Sequence, residues 1–351
     1  MPEGQLPDLG PVAALRRIAF LLERGLEPSY KVRAFRRAAN ALEGYGHAEL
    51  AALAAGPGLR ALPGIGEVTE RVAREALAGE VPVYLRRLEA IEGRPVPAGA
   101  AELRAALRGD CHVHSDWSDG GSPIAEMAEA ARDLGHDWVA LTDHSPRLTV
   151  ANGLSPERLR RQLDEVARLN ERLAEQAAAG AARPFRVLTG IEVDILEDGS
   201  LDQEAELLAR LDLVVASVHS KLRMPAAEMT ARMLAAVANP NADVLGHCTG
   251  RMVTGRGRPE STFDAEAVFA ACAEHGTAVE VNSRPERQDP PKRLLRLAVE
   301  AGCLVAVDTD AHAPGQLDWQ ALGCERAFAC GVTPEMVLNA RPAGDLVAGT
   351  G

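Results

Sequence analysis

Several things are scarce in this chain of 351 residues. Aromatic residues make up 3% of it, so any core rests on Leu, Val, Ile and Ala. Lysine occurs three times, at Lys31, Lys221 and Lys292, which leaves arginine as nearly all of the positive charge. No apolar run approaches the about 20 residues that a membrane-spanning helix needs. The opening MPEGQLPDLG has no basic stretch followed by an apolar one, so no signal peptide is visible. The six cysteines (Cys111, Cys248, Cys272, Cys303, Cys324, Cys330) show no C-x-x-C spacing. They read as reduced thiols, and the expected location is cytoplasmic. Surplus positive charge is missing too. The net charge is -12, with 13 Lys and Arg against 12 Asp and Glu in residues 1–100, and 25 against 38 in the rest. An acidic carboxy-terminal part argues against generic nucleic-acid affinity through net charge.

What is present divides the chain in two. Residues 11–26, 31–43 and 47–54 place apolar side chains at helical spacing. They are followed by LPGIGEVTERVAREALAGE, in which Gly64 and Gly66 flank Ile65 ahead of another helix. This is a helix–hairpin–helix pattern. Its glycines let backbone approach a phosphate, and the N–H groups at the following helix start face the anion. Gly64, Ile65 and Gly66 are therefore candidate DNA-backbone contacts, the alternative being a helical hairpin that only packs. Residues 93–102, GRPVPAGAAE, are rich in Pro, Gly and Ala, and the expected organisation is a helical domain over 1–98, a linker over 99–107, a catalytic domain over 108–335 and a mobile tail over 336–351.

From residue 108 strands and helices alternate. Candidate strands are 110–114, 138–143, 186–193, 213–219, 243–247, 277–282 and 303–310. Apolar strands separated by helices imply a parallel sheet covered on its outer face, here a distorted seven-stranded β/α barrel. Active sites of such barrels form at the carboxy-terminal strand ends. Six of the nine histidines fall there: His112, His114, His144, His219, His247 and His312. Asp119, Glu192 and Asp310 join them. Imidazole and carboxylate together suit zinc, manganese or iron. A lone histidine more often belongs to the core or the surface, but His47, His136 and His275 lie away from the strand ends and are read as structural or solvated. The pattern thus predicts a multinuclear metal centre.

The motifs GDCHVHSDWSDG, TDHS, GIEVDI, ASVHS, GHCTGR and DTDAH, in that order, resemble those of the PHP (polymerase and histidinol phosphatase) family over residues 108–330. The likeness is strongest to the PHP domain of bacterial family X DNA polymerases, supported by TDHSPRLTVANGLSPERLRRQ, and residues 11–92 resemble the amino-terminal helix–hairpin–helix domain of the same polymerases. The resemblance implies three divalent metals. His112, His114, Glu192 and Asp310 would hold one, Glu192 bridging to a second held by His219 and His247, while Asp119, His144 and His312 hold the third. It implies a metal-dependent phosphoesterase, first of all a DNA 3′→5′ exonuclease or DNA-end-processing phosphodiesterase. The alternative is a phosphomonoesterase acting on small molecules such as histidinol phosphate or nucleotides. A DNA-binding or scaffold module with purely structural metals is a third reading.

The chain departs from those polymerases between residues 92 and 108, where there is no room for a polymerase palm. The position of the lyase lysine of related small domains falls on Val72. Neither polymerase nor Schiff-base lyase activity through that residue is expected, and a polymerase acting in trans is a conceivable partner. Glu192 is the candidate catalytic carboxylate. Arg251, just after His247, is the candidate for a phosphate oxygen, with Arg284 a weaker one and a surface role the alternative for both.

Overall fold

The computed structural model describes residues 9–90 and 97–348, and the chain divides into two compact units, Met1–Pro95 and Val96–Gly351. The first unit is all helical: α1 (Pro11–Arg24), α2 (Ser29–Leu42), α3 (His47–Ala55), α4 (Glu67–Leu77) and α5 (Val83–Glu89). Its core is the apolar stripe the spacing predicted, with Leu15, Ile18, Leu22, Phe35, Leu42 and Val72 buried together. Each such side chain contributes about 1.5–3 kcal/mol by leaving water. Glu23 is buried and receives two guanidinium hydrogen bonds from Arg36, at 2.8 and 3.0 Å, which compensates the loss of its hydration.

The second unit begins with α6 (Ala98–Ala106). Strands and helices then alternate: β1 (Gly109–Val113), α7 (Ile124–Asp133), β2 (Trp138–Leu141), α8 (Pro156–Ala178), β3 (Arg186–Asp194), α9 (Ala205–Leu208), β4 (Leu213–Ser217), α10 (Ala226–Val237), β5 (Val244–Leu245), α11 (Ala265–His275), β6 (Ala278–Asn282), α12 (Lys292–Glu300), β7 (Val305–Asp308), α13 (Gln320–Phe328) and α14 (Ala343–Ala348). Local signals set several boundaries. Ser155 caps α8 by accepting from Arg158 N, and Asp264 caps α11 by accepting from Ala267 N. Gly276 ends α11 at φ 78°, a left-handed conformation that glycine adopts without strain.

All seven strands are parallel and paired in chain order. Cys111, Trp138, Leu188, Val215, Val244, Ala278 and Ala306, drawn from all seven, form one buried cluster and so fill the ring's interior. The ring nearly closes between β7 and β1, where one bridge, Val113 to Ala311, continues the pairing. The rest of that seam is held by side chains. Asp308 accepts from Cys111 N (2.8 Å), and Asp110 accepts from Thr309 N (3.3 Å) and Thr309 Oγ1 (2.6 Å). The amide nitrogens of Gln320 and Asn339 each donate to both Gly109 O and Val307 O, at 2.9–3.0 Å.

Two segments differ from expectation. Residues 99–107, expected as a linker, are helical up to Ala106. Alanine is the best helix former, Ala100 and Leu103 are buried, and the helix packs on α13, where Gly99 leaves room for the Phe328 ring. Much of the expected tail is likewise built into the domain. Leu338 and Leu346 are buried with the ring's interior, and Asn339 is fully buried in the β1/β7 seam. No described helix is long and apolar enough to cross a membrane.

Candidate metal centre

The strand ends bring all nine predicted ligands to one pocket. β1 carries His112, and His114 follows it directly. Glu192 sits within β3, while His144, His219 and His247 lie two or three residues beyond the ends of β2, β4 and β5. Asp310 and His312 follow β7. Asp310 has a φ of 54°, left-handed backbone that costs a non-glycine residue on the order of 1 kcal/mol. Asn282 Nδ2, 3.2 Å from Asp310 Oδ2, helps hold it there.

Glu192 is the centre of the arrangement. Its Oε1 lies 2.9 Å from His247 Nε2 and 3.2 Å from His219 Nε2. Its Oε2 lies 2.8 Å from His144 Nδ1, 3.3 Å from His112 Nε2 and 3.6 Å from His114 Nε2. Asp310 Oδ1 is 3.5 Å from His114 Nε2, and Asp119 Oδ1 is 3.5 Å from His144 Nε2 and 3.3 Å from His312 Nε2. Three groups have donor atoms within 4.8 Å of one another: His114, Asp119, His144 and His312; His112, His114 and Asp310; and His144, Glu192 and His219. His114 and His144 each belong to two groups.

Divalent cations fit this donor set. His112 Nε2, both ring nitrogens of His114, His144 Nδ1 and Glu192 Oε2 are buried without a hydrogen-bond partner among the described residues. Buried polar atoms are rarely left so. Lone pairs from neutral imidazole and carboxylate converging on one space are what zinc, manganese or iron would satisfy.

A ring of further carboxylates orients the imidazoles. Glu280 Oε1 is 2.6 Å from His112 Nδ1, and its other oxygen accepts from His247 N. Asp194 Oδ1 is 2.9 Å from His219 Nδ1. These contacts turn Nε2 of both histidines toward Glu192 and fix the tautomer. Asp143 accepts from Ser115 N (2.8 Å), Ser115 Oγ (2.6 Å), Ser118 Oγ and Gln162 Nε2 (2.6 Å), and so holds the loop after β1. Glu280, Asp194 and Asp143 were not singled out from the sequence. Ser115 and Ser145, each next to a predicted ligand, bind the carboxylates Asp143 and Asp202, and Ser220 O accepts from Arg232.

Charge is balanced across the pocket. Burial pushes the Glu192 carboxyl up, but His219, His112 and His144 outweigh it and hold the group well below the ordinary range. Asp310 is also lowered: burial opposes ionisation, and Arg284 and His114 overcome it. Burial lowers His219, yet Glu192 and Asp194 bring it to about 9. His114 goes the other way, lowered well by burial and by neighbouring His312 and His144. A cation entering this pocket would displace protons from the raised imidazoles, since ligation needs their lone pairs.

The arginines are arranged otherwise than expected. Arg251, expected to face a phosphate oxygen, donates through Nε to Arg287 O (3.0 Å) and through Nη2 to Gln288 O, with Nη1 3.4 Å from Glu260. It braces the loop after β6 and contacts none of the nine. That loop brings Arg284 and Arg287 to the pocket instead. Arg284 Nη1 is 3.5 Å from Asp310 Oδ1 and 3.3 Å from His312 Nδ1, and Arg287 Nε is 3.1 Å from Asp310 Oδ2. Arg284 Nε lies 3.7 Å from Glu286, and Arg287 Nη1 is buried with no hydrogen-bond or ion-pair partner among the described residues, so one guanidinium donor remains open to an anion.

In the helical unit, Gly64 has a φ of 96°, Ile65 is buried, and Gly66 precedes α4 with its N–H bonded to Thr69 Oγ1 (2.9 Å). Glu70 in the first turn of α4 is paired with Arg60 (3.0 Å) and Arg74 (3.2 Å). A second turn of the same build, not noticed in the sequence, precedes α3. Gly44 has a φ of 88° and Gly46 N bonds Glu49 Oε2 (2.7 Å), but Tyr45 between them is exposed.

Residues 110–284 match the PHP domain family and residues 10–81 a helix–hairpin–helix domain family. The DNA polymerase/3′-5′ exonuclease PolX of Bacillus subtilis (strain 168) is 38% identical over 242 residues, 69% of this chain and 40% of that protein. A probable phosphatase of Thermoanaerobacter sp. (strain X514) is 28% identical over 241 residues, 66% of this chain and 89% of that protein. Among solved structures, the histidinol phosphate phosphatase of Lactococcus lactis subsp. lactis, complexed with zinc, L-histidinol and phosphate, is similar with a TM-score of 0.47 and 19% identity, covering 65% of this chain and 95% of that one. The chain therefore spans two fifths of the polymerase's length and about nine tenths of the phosphatase's. With the motifs, the nine converging ligands and the two family matches in agreement, the chain belongs to the PHP family of metal-dependent phosphoesterases, with a helix–hairpin–helix domain ahead of its PHP domain.

Proposed function

We propose that this protein hydrolyses phosphodiester bonds at DNA ends, as a 3′→5′ exonuclease or a related end-processing enzyme, with three divalent cations of zinc, manganese or iron at the centre around Glu192. One observation carries the reading: a single buried carboxylate is surrounded by imidazoles on both of its oxygens, in a chain that also holds a G-I-G hairpin suited to a DNA backbone. His112, His114, Glu192 and Asp310 would hold one cation, Glu192, His219 and His247 a second, and Asp119, His144 and His312 the third. When bound, the cations supply Lewis acidity at a phosphoryl group and a source of hydroxide near neutral pH. The protein's own groups do the rest. Glu280 and Asp194 keep the His112 and His219 rings in register. The guanidinium groups of Arg284 and Arg287, held beside Asp310 with Arg287 Nη1 unpartnered among the described residues, bind non-bridging phosphoryl oxygens and stabilise their growing charge. Arg251 keeps that loop in place. Gly64, Ile65 and Gly66 position the DNA backbone.

The test is purified protein with Mn²⁺, Zn²⁺ or Fe²⁺ on end-labelled single-stranded and gapped DNA, beside a His114→Ala control. Stepwise nucleotide release that the control lacks is expected, and no release with any of these metals overturns the reading. A second reading, hydrolysis of small phosphomonoesters, is favoured by the relatives named probable phosphatases, whose length this chain nearly covers. Phosphate release from monoesters with DNA left intact would establish it instead.

A further inference from the structure

The rim of the PHP barrel is electrically lopsided. The segment after β3, residues 195–204, has four acidic residues and no basic one. The segments after β4, β5 and β6 (218–225, 246–264 and 283–291) have seven basic residues against four acidic ones, in a chain whose net charge is -12. All four acids there already have partners. Glu260 pairs with Arg251 and Arg293, Glu286 lies 3.7 Å from Arg284, Asp289 accepts from Thr249 and Arg251, and Asp264 caps α11. Lys221, Arg223 and Arg256 are exposed, and none pairs with a carboxylate among the described residues.

These three segments form one continuous surface. Ser261 Oγ donates to Leu222 O at 2.8 Å, and a Cβ on Gly250 would meet the Leu222 side chain. Val253 N donates to Glu286 O at 2.6 Å, which ties the β5 segment to the β6 segment. Met252 and Arg258 bridge to form a small hairpin, whose tip at 253–257 is exposed and carries Arg256 between two glycines. The surface runs into the metal centre at three points: His219 opens the first segment, His247 lies near the start of the second, and Arg284 and Arg287 of the third reach Asp310.

We propose that this rim, through Lys221, Arg223 and Arg256, binds the sugar–phosphate backbone of a single-stranded nucleic acid whose terminal phosphodiester lies in the metal centre. The proposal rests on the DNA-directed reading above. A small monoester is too short to span the rim, whereas a strand presents a phosphate every few ångströms and is drawn to unpaired cations. On the opposite side, Asp202 and Glu204 of the segment after β3 pair with Arg147 and Arg160, which leaves Glu197 and Asp198 to disfavour the strand there, so the strand approaches over the basic side.

The test compares the full chain with its Lys221→Ala/Arg223→Ala/Arg256→Ala variant. Binding of fluorescein-labelled oligo(dT) is followed by anisotropy across a salt series in EDTA, where neither metal nor turnover contributes. Metal-loaded protein is then assayed on the same oligonucleotide and on bis(p-nitrophenyl) phosphate. The variant is expected to bind about tenfold more weakly, with the slope of log affinity against log salt reduced by about 2, since each lost contact with a single strand removes roughly 0.7. Its KM for oligonucleotide rises while hydrolysis of the small diester is unchanged. An unaltered salt slope and KM, with the wild type digesting DNA, overturn the rim as the track and leave the function standing. A wild type that cleaves the small ester but neither binds nor digests oligo(dT) overturns both.

Discussion

Histidine plays opposite parts at the two ends of the barrel. At the mouth, His112, His114, His144, His219, His247 and His312 crowd around Glu192, Asp119 and Asp310, and several of their buried nitrogens have no hydrogen-bond partner among the described residues. At the other end His136, just before β2, is fully buried with its Nε2 3.0 Å from Gln320 Oε1 and 3.1 Å from Arg104 Nη2. Burial and the Arg104 charge pull it down to about 3, so it stays neutral. The residue type is the same. The mouth differs in its carboxylates: Glu280 and Asp194 orient the His112 and His219 rings from one side, while Glu192, Asp310 and Asp119 face the ring nitrogens that would share a cation. His136 has an amide and a cation, which can hold a neutral ring but build no cation site.

Substitutions can break this contrast, beginning with the largest effect. His114→Ala removes a ring that belongs to two of the three ligand groups. Hydrolysis is expected to fall on the order of a thousandfold, because several kcal/mol of charge stabilisation goes with a displaced cation, and metal per chain by elemental analysis should fall with it. Glu280→Gln and Asp194→Asn leave every ligand in place but loosen the orientation of His112 and His219. Metal affinity or activity should drop about 10–100-fold, read by titrating metal back into stripped protein. Arg251→Ala releases the loop that carries Arg284 and Arg287. Its expected effect is roughly tenfold or less, in KM more than kcat, because substrate binding rather than the cation site is disturbed.

His136→Gln should leave hydrolysis unchanged and cost about 1–3 kcal/mol of stability in urea unfolding, from the lost contact with Gln320. It also separates the two ends by pH. The unfolded chain binds a proton on His136 near 6.5, whereas the native chain resists it until about 3. Stability from this residue is therefore present above pH 6.5 and lost progressively as pH falls toward 3, at up to about 1.4 kcal/mol per unit. In EDTA the stability of the variant should fall less than that of the wild type across this window. Parallel curves would show that His136 is not held neutral.

Much of the centre was legible because its ligands recur at one structural place, the carboxy-terminal strand ends, and strand ends can be read from apolar runs. The supporting carboxylates were harder. Asp194 lies two residues from Glu192 on β3, so strand alternation alone puts both on one face, and Glu280 stands in the same relation to Asn282 on β6. The signal was there, but neither residue is marked by a histidine. Arg251 was misplaced because nearness to His247 along the chain says nothing of where a long side chain ends. The linker over 99–107 was misjudged because its alanines were read with the Pro- and Gly-containing run before them, although alanine favours helix. The expected tail looked poor in apolar residues, yet Leu338 and Leu346 find cover, and Asn339 serves the fold through its amide rather than through apolar area.

Asn339 gives the barrel a weak place where it matters most. His112 and His114 stand on one side of the β1/β7 seam and Asp310 and His312 on the other, and much of that seam is held by borrowed amides and crossed carboxylates. Breathing of the ring would begin there, prising the ligand set apart while the helices stay packed. A clip near residue 337 would thus let cations leak from an otherwise folded enzyme, and early hydrogen exchange at the Cys111 and Val307 amides would record the gap before any unfolding is seen.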